Sequence, residues 1–90
     1  MTFGEILKEL DSLKLYEKRP RATRRGWNGK GMWIRCINLY ADAEFRICEE
    51  GDSEGTWLPF LVMKTVDNKL VPWLASQTDT LADDWEMLPA

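Results

Sequence analysis

Residues suited to holding a charged, aromatic ligand are concentrated in one basic stretch, residues 18–30 (KRPRATRRGWNGK). This stretch carries six lysines and arginines and no acidic residue, although the whole chain has a net charge of −3. It ends in a glycine-rich turn, Gly26–Gly31, with Trp27 near the apex. An indole beside guanidinium and ammonium groups suits a purine ring and its phosphates, through stacking and charge-assisted hydrogen bonds. The alternative is a solvated edge strand on which arginines prevent aggregation.

A second candidate region, nearer the carboxyl terminus, combines an aromatic residue with a polar turn. Trp73 follows a Val-Pro pair, and Ser76 stands three residues before Asp79 at a predicted helix start. The free amides and the positive dipole end of a helix start would add an anion site there. Most tryptophans of a small domain belong to its core, however, so at least three of the five are predicted to be structural.

The residues available for catalysis are few. The chain has no histidine, the side chain that most often serves as general base or zinc ligand near neutral pH. Cys36 and Cys48 match neither a zinc site nor a CxxC redox pair, which predicts ordinary strand residues in a reducing cytosol. The acidic pairs Glu49-Glu50 and Asp83-Asp84 are sequence neighbours, whose side chains diverge on helices and strands alike. We therefore predict a protein that is not an enzyme and holds no metal or cofactor.

Two capped helices are predicted from the sequence. Thr2 and Glu5 fit a capping box at the start of an amphipathic helix, residues 3–13, whose apolar stripe indicates core packing. Ser76 and the aspartate three residues later fit a variant of the same box before a short helix, residues 77–82. These helices stand at opposite ends of the chain, and the segments between them have the composition of strands.

The strands complete the predicted fold. Pro59 lies in the most apolar strand and suggests an edge or a bulge, because proline cannot donate to a ladder. Asp67-Asn68 is placed as a hairpin turn between two apolar runs. The order of elements indicates one domain, residues 1–90, with an α+β fold on a mainly antiparallel sheet. The predicted strands cover residues 32–40, 45–48, 57–64, 69–71 and 85–88.

Hydropathy along the chain indicates where the protein resides, and the chain length indicates how a ligand pocket could form. No window approaches the roughly 18 apolar residues of a membrane span, and the amino terminus lacks the uninterrupted apolar core of a signal peptide. These patterns predict a cytoplasmic protein that binds no membrane. A chain of 90 residues rarely encloses a deep cavity alone, so a pocket is expected between subunits.

Two blocks of the sequence are similar to a phage and prophage family, the second type of Thoeris anti-defence proteins. The blocks are Arg25–Met32 (RGWNGKGM) and Leu61–Trp85, which begins LVMKTVDN and ends TLADDW. The resemblance covers nearly the whole chain except residues 39–55. It implies a protein that sequesters, without degrading it, a cyclic ADP-ribose isomer (glycocyclic ADP-ribose) made by TIR-domain immune proteins in the host bacterial cytosol, so that the effector stays inactive.

The resemblance also implies an assembly and a set of site residues. Members form homotetramers with pockets between protomers, and some also capture cyclic di- or trinucleotides at a separate site. Trp27 would stack on adenine, Asn28 would contact a ribose or base edge, and Arg25 and Lys30 would meet the pyrophosphate. The opposite wall would comprise Trp73, Ser76, Gln77 and Asp79. A second anionic-ligand site would use Arg19, Arg21 and Arg24.

Several assignments stay open at this point. Asp79 either accepts hydrogen bonds from ribose hydroxyls or only caps a helix. The tryptophans divide into a ligand wall, Trp27 and Trp73, and a core of Trp33, Trp57 and Trp85, to which Leu81 is added. A single-stranded nucleic-acid-binding domain is an alternative, disfavoured by the acidic overall charge, and a purely structural phage interaction module is another.

Overall fold

A computed structural model of the chain describes residues 1–10, 20–27, 29–37 and 58–89. The described elements form an α+β fold, which confirms the predicted class. The described residues do not include the predicted strand 45–48. They also do not include Trp57, with which the predicted strand 57–64 begins. In chain order the elements are helix α1 (Phe3–Glu9), strand β1 (Ala22–Arg24), a 3-10 turn (Arg25–Trp27), strands β2 (Trp33–Ile37), β3 (Phe60–Lys64) and β4 (Leu70–Pro72), helix α2 (Gln77–Leu81) and strand β5 (Trp85–Met87).

The five described strands form one antiparallel sheet in the order β4-β3-β2-β1-β5. β1 lies between β2 and β5, with Ala22 opposite both Ile34 and Met87. The basic stretch contributes β1, which is an inner strand. The prediction of an edge strand is therefore wrong for this part of the stretch. β3 is also an inner strand and pairs with β2 without a bulge, so the inference from Pro59 is wrong too. Pro59 precedes β3, where its missing N–H costs no ladder hydrogen bond.

Alternating side chains divide the sheet into two faces. Cross-strand partners share a face, so Ala22, Ile34 and Met87 lie on one side, which we call the helix face. Helix α1 packs Ile6 and Leu10 into the core on this face, and both are at most 1% exposed. Burying each such side chain stabilises the fold by about 1.5–3 kcal/mol. The helix face therefore carries the main described core.

Helix α1 begins as the sequence predicts. The Thr2 hydroxyl accepts from the Glu5 amide at 3.2 Å, and the Glu5 carboxylate accepts from the Thr2 amide at 2.8 Å. These hydrogen bonds with Thr2 lower the pKa of Glu5. The helix ends at Glu9 with Leu10 as its C-cap, which is shorter than the predicted 3–13. Neither of the two described α-helices is long and apolar enough to cross a membrane.

The β3–β4 hairpin confirms the predicted turn. Asn68 has a φ of +64°, a left-handed conformation that asparagine tolerates better than most residues. Its amide donates to the Thr65 carbonyl at 3.0 Å, and the Thr65 amide donates to the Lys69 carbonyl at 2.8 Å. The turn thereby sets the pairing of Lys64 with Leu70.

Candidate functional site

Four aromatic rings meet on the helix face, and we call them the aromatic cluster: Phe3, Trp27, Trp73 and Trp85. Trp85 is 1% exposed and lies at the base. The centroid of Trp27 is 5.2 Å from that of Trp85 and 6.3 Å from that of Trp73, both with edge-to-face geometry. Trp27 and Trp73 are only half-buried. The structure thus brings together the two indoles predicted to form a ligand wall, and it also packs both against the core.

Trp27 is positioned by the turn that follows β1. It closes the 3-10 turn, and its carbonyl accepts from the Lys30 amide at 3.4 Å. The chain then reverses through Gly29 and Gly31, whose φ values of +64° and +76° favour glycine. Lys64 of β3 donates from Nζ to the Gly31 carbonyl at 2.7 Å. The glycine-rich turn is therefore held by the sheet beneath it.

Trp73 is positioned by the end of β4. Its amide donates to the Leu61 carbonyl at 3.1 Å, which continues the pairing of β4 with β3 by one residue. Its ring contacts Phe3 of α1, with centroids 6.1 Å apart. Three residues later, Ser76 begins α2. Trp73 therefore lies between the sheet, α1 and the start of α2.

Ser76 and Asp79 form the predicted capping box. The Asp79 amide donates to Ser76 Oγ at 3.1 Å, and the Ser76 amide donates to Asp79 Oδ2 at 3.4 Å. These two amides are thus used by the cap, and the carboxylate adds negative charge at the helix start. The cap interpretation of Asp79 is confirmed. The ligand contacts assigned to Ser76, Asp79 and the exposed Gln77 stay predictions.

Asp79 also pairs with Arg24, which is shared with a second aspartate. Arg24 Nη1 lies 2.7 Å from Asp79 Oδ1, and Arg24 Nε lies 2.8 Å from Asp84 Oδ1. Hydrogen bonding to Arg24 lowers the pKa of Asp84. Burial acts to raise the pKa of Asp79, but hydrogen bonds from Arg24 and Ser76 outweigh it and leave that pKa below its usual value. Hydrogen bonding to Asp84 raises the pKa of Arg24.

The other candidate cations have different surroundings. Arg25 is 75% exposed on its side chain and lies 3.4 Å from Glu86, a weak surface pair. Lys30 is exposed in the glycine-rich turn. Arg21 stacks on Trp33, with 5.4 Å from its guanidinium carbon to the ring centroid, and donates to the Pro89 carbonyl at 3.0 Å. Asn28 and Arg19 lie outside the described residues.

Arg21 and Arg24 lie on different faces of the sheet. Arg24 is opposite Trp85 and thus on the helix face, whereas Arg21 contacts Trp33, the neighbour of Ile34 along β2 and therefore on the other face. The structure does not bring these two arginines together. The second anionic-ligand site assigned to them stays a prediction.

Some residues differ from their predicted roles, and others were missed. Leu81 is not in the core but 82% exposed. Asp79 turns its side of α2 towards Arg24, and a residue two positions later in a helix does not share that side. Trp33 is half-buried on the face opposite the helices. Phe3 begins α1 and contacts Trp73 and Trp85, which the helical spacing of apolar residues does not indicate. The sequence places Asp84 only in an acidic pair, because its contact with Arg24 depends on the pairing of the distant strands β1 and β5.

The described residues contain no group of three or more histidine, cysteine, aspartate or glutamate side chains that could hold a metal ion. The site is instead an aromatic surface with charged residues at its edge. Such a surface can stack on a flat ring and attract an anionic group.

Comparisons with known proteins agree with the resemblance seen in the two blocks. The sequence profile of the Thoeris anti-defense 2-like domain matches residues 1–88. The chain is also similar to the protein named Thoeris anti-defense 2 from Bacillus phage SP01. The two are 36% identical over 92 aligned positions, which cover 98% of this chain and 94% of the phage protein.

Proposed function

Because this chain belongs to the Thoeris anti-defence 2-like family, and because this membership supports a phage anti-defence role, we propose that the protein works by sequestering a signalling molecule. In this proposal the protein binds a cyclic ADP-ribose isomer (glycocyclic ADP-ribose) made by TIR-domain immune proteins. It holds the signal intact in the host bacterial cytosol, and the downstream effector stays inactive. Sequestration needs affinity and stoichiometry but no catalytic group.

The observation that carries the proposal is the contact of Trp27 with Trp73 above the buried Trp85. Half-buried indoles fixed by a core ring offer a rigid surface on which an adenine can stack, with little conformational entropy lost on binding. Stacking of this kind contributes about 1–3 kcal/mol per base. The exposed cations Arg25 and Lys30 lie on either side of Trp27 in the chain, two residues before it and three after it, which is close enough to meet a pyrophosphate.

We further propose that the ligand pocket is completed by another protomer of a homotetramer. Leu74 follows Trp73 of the aromatic cluster and is 93% exposed, and Leu81 is the last residue of α2 and is 82% exposed. Large apolar side chains left in water beside a candidate site favour a protein contact there. A shared pocket would also supply the enclosure that one open aromatic surface lacks.

Calorimetric titration of the purified protein with glycocyclic ADP-ribose tests the proposal. We expect tight binding with a fixed stoichiometry per protomer, and quenching of tryptophan fluorescence. ADP-ribose, which has the same groups without the closed ring, serves as the matched control and should bind more weakly. No binding of the cyclic compound would contradict the proposal.

Parallel titrations separate the alternatives. Binding of a cyclic dinucleotide that does not compete with glycocyclic ADP-ribose would indicate the second anionic-ligand site. A gel shift with single-stranded DNA that persists at physiological salt would favour the nucleic-acid-binding alternative. Failure to respond to any nucleotide in a thermal-shift panel would favour a purely structural interaction module.

A further inference from the structure

The two carboxylates that hold Arg24 each use their second oxygen to hold a different segment of the site. Asp84 Oδ2 accepts from the Gly26 amide at 2.8 Å, inside the 3-10 turn that carries Trp27. Asp79 Oδ2 accepts from Ser76 Oγ at 2.9 Å, in the segment that follows Trp73. A single guanidinium thus connects the turn with Trp27 to the start of α2.

The fit around this connection is close. A Cβ atom placed on Gly26 would lie 3.0 Å from Asp84 Oδ2 and 3.1 Å from Arg24 Nη2, so a side chain there would press on the ion pairs. The Arg25 amide also donates to the Asp84 carbonyl at 3.2 Å. On the other side, the indole Nε1 of Trp85 donates to the Asp79 carbonyl at 3.0 Å. The same aspartates therefore fix the turn, the helix start and the base of the aromatic cluster.

We infer that Arg24 is a positioning residue that sets the spacing of Trp27 and Trp73 by joining Asp84 to Asp79, and is not itself a contact for an anionic ligand. Its role in binding rests on the proposed function, whereas its effect on the indoles does not. Arg24 and Asp79 side chains are each 14% exposed, and Nε and Nη1 are already hydrogen-bonded. The three side chains sum to one negative charge, so they attract no phosphate.

The planar fork of arginine is what this geometry requires. A guanidinium offers donors along two edges at fixed angles and can hold two carboxylates at once. A lysine ammonium keeps the charge but is a point on a flexible stem. A residue that served only as a cation for phosphate would tolerate lysine, because lysine binds phosphate well. The two roles therefore predict different outcomes for Arg24→Lys.

The first experiment compares the affinity of Arg24→Lys and Arg24→Gln for glycocyclic ADP-ribose. We expect both variants to bind about tenfold more weakly, which is the lower end of the loss seen when residues that orient metal ligands are replaced. Lys69→Gln removes the same charge from an exposed hairpin residue and should bind as the parent does. Parent affinity in Arg24→Lys, with or without a loss in Arg24→Gln, would overturn the inference.

The second experiment needs no ligand. Closely spaced indoles give an exciton band in circular dichroism. Its amplitude reports the mutual geometry of Trp27, Trp73 and Trp85, whose ring centroids lie 5.2, 6.1 and 6.3 Å apart in pairs. We expect a smaller band in Arg24→Lys and in Asp84→Asn, both measured where thermal melts show the protein fully folded, and no change in Lys69→Gln. An unchanged band in both Arg24→Lys and Asp84→Asn would overturn the inference. If the parent protein binds no probe, the proposed function fails while the band still tests the positioning role.

Discussion

The indole rings of Trp27 and Trp85 meet edge to face, at an interplanar angle of 79°. Trp85 is buried in β5, whereas Trp27 ends a 3-10 turn and is followed by two glycines with positive φ, Gly29 and Gly31. The contact therefore fixes a large ring from a loop onto the core of the sheet. Trp27 is therefore packed against Trp85 on one side and half exposed to a ligand on the other.

Trp27→Ala should weaken binding of glycocyclic ADP-ribose by about 1–3 kcal/mol if the ring stacks on a base. Trp27→Phe should lose less, because a smaller ring keeps part of the stacking. Calorimetry provides the affinities, and urea unfolding separates the loss of packing on Trp85 from the loss of ligand contact. Trp33→Ala is the matched control, since Trp33 lies on the opposite face. Parent affinity in folded Trp27→Ala would remove this residue from the site.

Ser76→Ala should lower the free energy of unfolding by about 1 kcal/mol, because the Asp79 amide loses its capping acceptor. Ser76→Thr retains a hydroxyl at the same position and should restore most of the loss. Urea denaturation of the three proteins measures the difference. Equal stability of the alanine variant and the parent would show that the box contributes nothing.

The stability of the protein should depend on pH through Asp79 and Asp84. Both have a folded-state pKa below the usual value, so their contribution is fully present above the unfolded-state pKa of about 4. It is lost as the pH falls through the lower folded-state pKa, because the unfolded chain then binds more protons. Unfolding by urea from pH 7 to pH 3 should show a shallower acid decline in Asp84→Asn. An identical decline in both proteins would contradict this linkage.

Asn68→Ala should destabilise the protein by about 1 kcal/mol, because alanine is strained at a positive φ. Asn68→Gly should be close to neutral, since glycine adopts this conformation freely. Urea unfolding compares the two variants. Ligand affinity should not change in either, as the hairpin tip is not part of the aromatic cluster. A tolerated alanine would mean that the turn can change its type.

Leu74→Ser combined with Leu81→Ser should reduce the oligomer without unfolding the chain. Both side chains are exposed in the single chain, so their replacement removes little of the buried area within it. Light scattering should give four times the chain mass of 10.5 kDa for the parent and a smaller species for the double variant. A parent protein that is monomeric would contradict the proposed tetramer.

Local features of the structure could be predicted from sequence because their causes are local. Thr2 with Glu5 and Ser76 with Asp79 are three residues apart, which is the spacing of a capping box. The left-handed Asn68 follows in the same way from the preference of asparagine for turns. These short-range rules placed both helix starts and the hairpin.

Long-range relationships could not be read from the same patterns. The pairing of β1 with β5 joins Arg24 to Trp85 across most of the chain, and no local signal shows that the basic strand is an inner one. The ion pairs of Arg24 depend on that pairing, and so a residue expected to face an anion is held by two aspartates. Leu81 lies in a predicted helix, but none of the described elements covers it.

The most direct test of sequestration is to incubate the protein with a lysate in which a TIR-domain enzyme has been activated. The protein is then repurified and heated, and the released small molecules are identified by mass spectrometry. We expect release of an intact cyclic ADP-ribose isomer in a fixed ratio to protomers, with much less from Trp27→Ala. Release of linear ADP-ribose, or of no nucleotide, would contradict sequestration.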